Sequence, residues 1–213
     1  MTSKSTPARI CDIALDLFNN CGSTKISTNR IAAETGISKG NLNYHYRSRQ
    51  EIVRDIFSNL RAEILDGWTG DHQHPTLAHM AFMFRRQLML GWKYRFFYRE
   101  MADLLNADPL LRQRFNELRV RRISALRQFF EALAERGFVT LPDDGEELQH
   151  FLTGTWLLSE HWLTHVETLG EPFDEVALQR GHAVLMTMVK PYLRGNDDES
   201  RRSIASYPAG CLG

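Results

Sequence analysis

Residues Ser27–Tyr46, STNRIAAETGISKGNLNYHY, decide how the rest of the chain is read. They describe two short helices joined by a tight turn. The first, Thr28 to Thr35, carries apolar Ile31, Ala32 and Ala33, and Ser27 or Thr28 is placed to cap its start. Gly36 stands where a helix ends in a left-handed residue, and Ile37 plugs the turn. Ser38 caps a second helix that opens with Lys39 and Gly40. Leu42 is its single inward apolar residue. Lys39, Asn41, Asn43, Tyr44 and His45 are polar or amphipathic and point elsewhere. Such a helix is poor core material, but it suits a groove. The second helix of a helix-turn-helix lies in the DNA major groove with its early residues on base edges. A solvated helical hairpin within an all-α domain is the plainer reading of the same spacing.

The residues immediately after Leu42 favour the groove. Tyr44-His45-Tyr46-Arg47-Ser48-Arg49 places aromatics and arginines directly after the polar helix, and Ser48 with Glu51 has capping-box spacing for the next one. The stretch SKGNLNYHYRSRQEI resembles the recognition-helix signature of the TetR/AcrR transcriptional repressors, in which Ser-Lys-Gly-Thr-Leu-Tyr-Tyr-His-Phe is followed by Lys-Ser-Lys-Glu. It departs at Asn41, Asn43 and Tyr46, where the family usually has Thr, Tyr and Phe. Two of these lie where operator contacts are made, which points to an unusual operator. The resemblance is specific over about residues 8–57 and generic beyond.

The resemblance implies an all-α fold: an N-terminal three-helix helix-turn-helix domain over 1–50, a connecting helix over 48–67, and a helical ligand-binding and dimerisation domain over 68–194, about nine helices in all. It implies double-stranded DNA and a second copy of the chain as partners. Lys39, Gly40, Asn41, Asn43, Tyr44 and His45 would meet DNA, with Thr28, Asn29 and Arg49 on phosphates. Short polar side chains and free amides at a helix start suit phosphate oxygens; for Thr28, capping serves as well. Asn is a competent adenine reader. The function implied is a ligand-responsive repressor that binds a palindromic operator as a dimer. The alternative is a helical ligand-sensing adaptor that has lost specific DNA binding.

Charge agrees modestly. The chain of 213 residues is neutral overall, but residues 1–60 hold eight basic and five acidic side chains, a net +3, leaving −3 for the remainder. A mildly basic head suits an anionic partner at that end only. Three cysteines, Cys11, Cys21 and Cys211, form no disulfide framework. No apolar run approaches the ~18 residues of a membrane span, and MTSKSTPARI lacks a signal-peptide core. These features lead to the expectation of a cytoplasmic protein.

Outward from the motif, Ile10, Ile13, Ala14, Leu17, Phe18 and Cys21 fall on one helical stripe, which makes Cys21 a small buried hydrophobe. After Ser48, Ile52, Val53, Ile56, Phe57, Leu60, Ile64 and Leu65 form the stripe of a longer helix. Gly67–Pro75 reads as a break. Helical spacing resumes over 76–92, then 109–136, 146–168 and 174–193, and residues 195–213 read as a disordered tail. The Arg-dense face of 109–136 reads as solvated.

Two further sites are expected in the body. Phe84, Trp92, Phe97, Phe129 and Trp156 are candidates to line a pocket for a small apolar or aromatic effector, against ordinary core packing. Trp156, Trp162, Leu185, Met188, Val189 and Tyr192 on the last two long helices are candidates for a dimer interface. His161 and His165 stand four apart beside Glu160, but Trp162 occupies the position where a zinc metalloprotease helix needs Glu, and no third ligand is evident. With no phosphate loop and no nucleophile elbow, the chain reads as neither an enzyme nor a cofactor or metal protein.

Overall fold

Capping and periodicity translate directly into elements. The computed structural model describes residues 5–69 and 75–194, with 67–69 as backbone only. In chain order the α-helices are α1 Thr6–Cys21, α2 Thr28–Thr35, α3 Lys39–His45, α4 Arg49–Thr69, α5 Leu77–Lys93, α6 Arg95–Arg99, α7 Met101–Ala107, α8 Pro109–Glu135, α9 Gly145–Thr168 and α10 Glu175–Val189. Ten α-helices among the described residues thus stand against the nine or so expected, because the stretch around Tyr94–Leu105 forms two short ones. Short 3₁₀ turns occupy Ser23–Lys25 and Lys190–Tyr192. The predicted tail lies outside the described residues, as does most of the predicted break after Gly67.

The chain clusters into two units: Met1–Ala62 with Tyr94–Asn116, and Glu63–Lys93 with Glu117–Gly213. The division therefore falls inside α4 and inside α8, and residues 94–116 join the first unit rather than the body expected from residue 68 onward. The reason is a set of aromatic and polar anchors. Phe96 lies 5.2 Å from Phe18, and Phe97 lies 5.1 Å from Phe57 and 6.2 Å from Phe115, ring centre to ring centre. The Asn19 side chain accepts the Phe96 amide at 3.0 Å. Arg54 donates to Asp108 at 2.7 Å, and Asp108 also accepts the Leu110 and Leu111 amides at the start of α8. Burial pushes the Asp108 carboxyl up, but Arg54 and these amides outweigh it and hold the group below its ordinary value.

In the second unit α5, α9 and α10 pack together. Phe84, Leu88, Phe129, Phe130, Leu152, Leu163, Leu185 and Val189 form the interior. Trp162 approaches α10 so closely that its indole N–H donates to the Ala177 carbonyl at 2.9 Å. Gly181 permits this: a Cβ there would collide with the indole nitrogen. The predicted solvated Arg face of α8 has one exception. Arg122 is buried and donates to Glu160 at 2.6 Å and to Ser159 at 2.9 Å. Burial pushes the Glu160 carboxyl up and the Arg122 charge opposes it.

Candidate nucleic-acid interface

The helix-turn-helix forms where the local rules place it. The Ser27 hydroxyl accepts the Arg30 amide at 3.3 Å and starts α2. Gly36 takes the left-handed conformation, φ 71°, and the Ile37 amide returns to the Ala32 carbonyl at 3.0 Å. Ile37 itself is half-buried in the turn. The Ser38 hydroxyl then accepts the Asn41 amide at 3.1 Å and starts α3. Arg9 of α1 donates to the Thr35 carbonyl at 2.8 Å, which fixes the end of α2.

Helix α3 has one buried side chain, Leu42, at 0 % exposure. Lys39, Gly40, Asn41, Asn43 and Tyr44 are exposed, Tyr44 at 85 %. His45 is half-buried and meets the Tyr44 ring edge-on at 5.1 Å. Thr28 is half-buried and Asn29 exposed at the start of α2. Arg49 is half-buried at the start of α4 and donates to the Thr24 carbonyl at 3.0 Å. A Cβ at Gly40 would meet only the Ser38 hydroxyl at 3.9 Å, so the bare backbone there does not come from crowding within the chain.

Three features of this region go beyond the sequence-based expectation. Tyr46 is buried; its hydroxyl donates to Asp55 at 2.7 Å and lies 3.3 Å from the Cys11 sulfur. These bonds tie the end of α3 to α4 and α1. Burial, then the bonds to Cys11 and Asp55, push the phenol far above its ordinary value, so it stays protonated and donates. The available signal is a Tyr where the resembling family carries Phe: a buried hydroxyl needs a partner. Second, Arg30 and Arg47 are exposed beside α3, and their side chains, like that of Lys39, make no ion pair among the described residues. Third, Glu51 accepts the Arg47 amide at 2.8 Å while the Ser48 hydroxyl accepts that of Glu51 at 3.3 Å, a capping arrangement displaced by one residue from the expected box.

The other predicted sites are arranged differently. Phe97 packs within the first unit against Phe57 and Phe115, and Phe84 and Phe129 are buried in the second. Trp92 stacks on Phe173 at 5.5 Å, and Trp156 is half-buried beneath the Arg119 guanidinium at 5.7 Å. Of the predicted interface, Trp162, Leu185 and Val189 are buried within their own chain, which leaves them no surface to offer a second copy. Trp156, Met188 and Tyr192 are half-buried. The exposed apolar side chains of α9 and α10 are instead Leu157, Val176 and Val184. Periodicity marks the apolar helices correctly without separating inner from outer faces. His161 and His165 are exposed while Glu160 turns inward to Arg122, so the three do not converge, and no cluster of three metal-ligating side chains occurs among the described residues. Cys21 is half-buried rather than buried. No helix among the described residues is long and apolar enough to cross a membrane.

Comparison with known proteins agrees with this architecture. Residues 10–56 match the family model described as "Bacterial regulatory proteins, tetR family", and residues 62–200 match one described as "Bacterial transcriptional repressor". A TetR-family transcriptional regulator from Marinobacter aquaeolei VT8 is 31 % identical, with 95 % of this chain and 97 % of that one aligned at a TM-score of 0.83. A TetR transcription regulator from Haloarcula marismortui ATCC 43049 shares the fold at 14 % identity, with 89 % and 98 % of the chains aligned and a TM-score of 0.73. No curated protein gives a significant match.

Proposed function

The chain belongs to the TetR family of transcriptional regulators, and from that premise we propose that it is a ligand-responsive repressor whose dimer reads a palindromic operator through α3. One observation carries the reading: α3 is pinned by Leu42 alone and leaves Lys39, Asn41, Asn43 and Tyr44 exposed. Asn41 and Asn43 offer paired donors and acceptors suited to adenine edges, and Tyr44 and His45 offer ring faces and polar tips. Gly40 lets the backbone approach DNA closely. Lys39 supplies charge, and Thr28, Asn29 and Arg49 take phosphates. Seven residues of helix reach only a few base pairs, so two copies on a two-fold axis give a site of useful length. The exposed Leu157, Val176 and Val184, with half-buried Trp156 and Met188, are the surface we assign to that second copy.

Polar groups available to an effector lie on α5 and α9, near the expected Phe84 and Phe129 in the second unit. Gln87 on α5 is 2 % exposed and its amide nitrogen has no hydrogen-bond partner; the Thr164 hydroxyl on α9 has none either. Unpartnered buried polar groups cost about 1–3 kcal/mol each. In an interior built from Phe84, Leu88 and Phe129, they are the polar anchors we assign to a small, mostly apolar effector. The reading places the protein in the cytoplasm with its DNA.

Selection of bound duplexes from a random pool, followed by a salt titration, tests the assignment. A two-fold symmetric sequence should be enriched, and the logarithm of its affinity should fall linearly with the logarithm of salt concentration. An unenriched pool would favour an adaptor without specific DNA binding.

A further inference from the structure

A cavity lies inside the first unit. It measures about 370 Å³, within the ~300–1,000 Å³ range of small-molecule sites. Its charges are sorted by element. The 3₁₀ turn and the first turn of α4 contribute the cations Lys25 and Arg49; the segment leading into and along α7 contributes the anions Glu100 and Asp103. Aliphatic Val53, Leu104 and Leu111 line the space as well.

The charges are not consumed internally. Asp108, also on the wall, is neutralised by Arg54 at 2.7 Å. The Glu100 carboxylate accepts from the Ser23 amide and hydroxyl, and no cation pairs with it among the described residues. Lys25 and Asp103 are exposed and form no hydrogen bond or ion pair there. Arg49 uses one N–H on the Thr24 carbonyl and keeps its remaining donors. Two cations and two anions with unused capacity thus stand on different elements around aliphatic side chains.

We propose that this cavity binds a small zwitterion, an ammonium and a carboxylate joined by a short aliphatic segment. Its ammonium meets Asp103 and Glu100, its carboxylate meets Arg49 and Lys25, and its methylenes lie against Val53, Leu104 and Leu111. A consequence rests on the proposed DNA reading: Arg49 is there assigned to a phosphate, so ligand and DNA compete for it.

Cys21 lines the same cavity as a half-buried free thiol and serves as reporter, with buried Cys11 as internal control. In a Cys211→Ser protein, maleimide modification of each thiol is followed by peptide mass spectrometry. 6-Aminohexanoate at four times its Kd should slow Cys21 about fivefold, because only the free form reacts, and leave Cys11 unchanged. Hexylamine and hexanoate, each with half of the charge pattern, should need at least about tenfold higher concentrations. Asp103→Asn and Lys25→Gln, both at exposed positions, should each weaken protection by 6-aminohexanoate about tenfold. Absent protection, equal protection by hexylamine alone, or parallel slowing of Cys11 would overturn the site. The competition is read separately: 6-aminohexanoate should weaken DNA binding by the unlabelled protein, and unchanged affinity alongside intact Cys21 protection would overturn the competition alone.

Discussion

Helices α3 and α9 use their side chains in opposite ways. Helix α3 buries one residue of seven, whereas α9 buries nine of 24, including the ion-paired Glu160 and the indole of Trp162. A helix so thinly anchored contributes little to folding beyond the roughly 1.5–3 kcal/mol of one buried leucine. Its remaining positions are therefore free to be chosen for a partner. In α9 nearly every inward position is committed to the chain's own interior, and substitutions there report on stability first. Exposure is informative in α3 because the exposed residues are hydrogen-bonding types held in fixed geometry by two caps. Apolar content in α9 is uninformative about partners because most of it is already covered.

The contrast breaks most visibly at the buried ion pair. Arg122→Ala would leave the buried Glu160 carboxyl without its partner, and should cost about 3–5 kcal/mol in urea denaturation of the whole chain. A loss below about 1 kcal/mol would mean that water reaches the pair. Next comes the anchor of α3: Leu42→Ala should cost about 2–5 kcal/mol, and hydrogen exchange should place the loss in α2 and α3 rather than in α9. A loss spread evenly over both units would erase the distinction.

A smaller effect depends on pH. The folded Asp108 carboxyl titrates below its unfolded value of about 3.9. Its contribution is present above that pH and is lost as the pH falls through the lower folded value. Urea midpoints measured at descending pH should therefore fall, and Asp108→Asn, which keeps the cap but not the charge, should remove about 1–2 kcal/mol of that dependence. An unchanged acid slope in the variant would show that other carboxylates carry it.

The helix-turn-helix is legible in the sequence because its determinants are local. Ser27, Gly36 and Ser38 each act within a few residues, and their hydrogen bonds appear where the spacing puts them. The body is legible only as helices. The 3.6-residue period marks an apolar face on α10 but does not say whether the chain itself or another molecule covers it, so Leu185 and Val189 read as interface and fold as interior. Phe97 reads as part of the body because the aromatic run around it carries no period long enough to show that α6 turns back to Phe57. The long-range partners of Arg122 and Tyr46, 38 residues away at Glu160 and 35 at Cys11, leave no trace in spacing.

The most direct test of α3 as the reading helix is fluorescence anisotropy on the selected duplex and on versions with single base-pair changes, comparing wild type with Asn43→Ala. The variant should match wild-type stability within about 0.5 kcal/mol yet lose about 1–3 kcal/mol of preference at one base pair in each half-site. Wild-type affinity and wild-type preference at every position would contradict the assignment of Asn43, and of α3 with it.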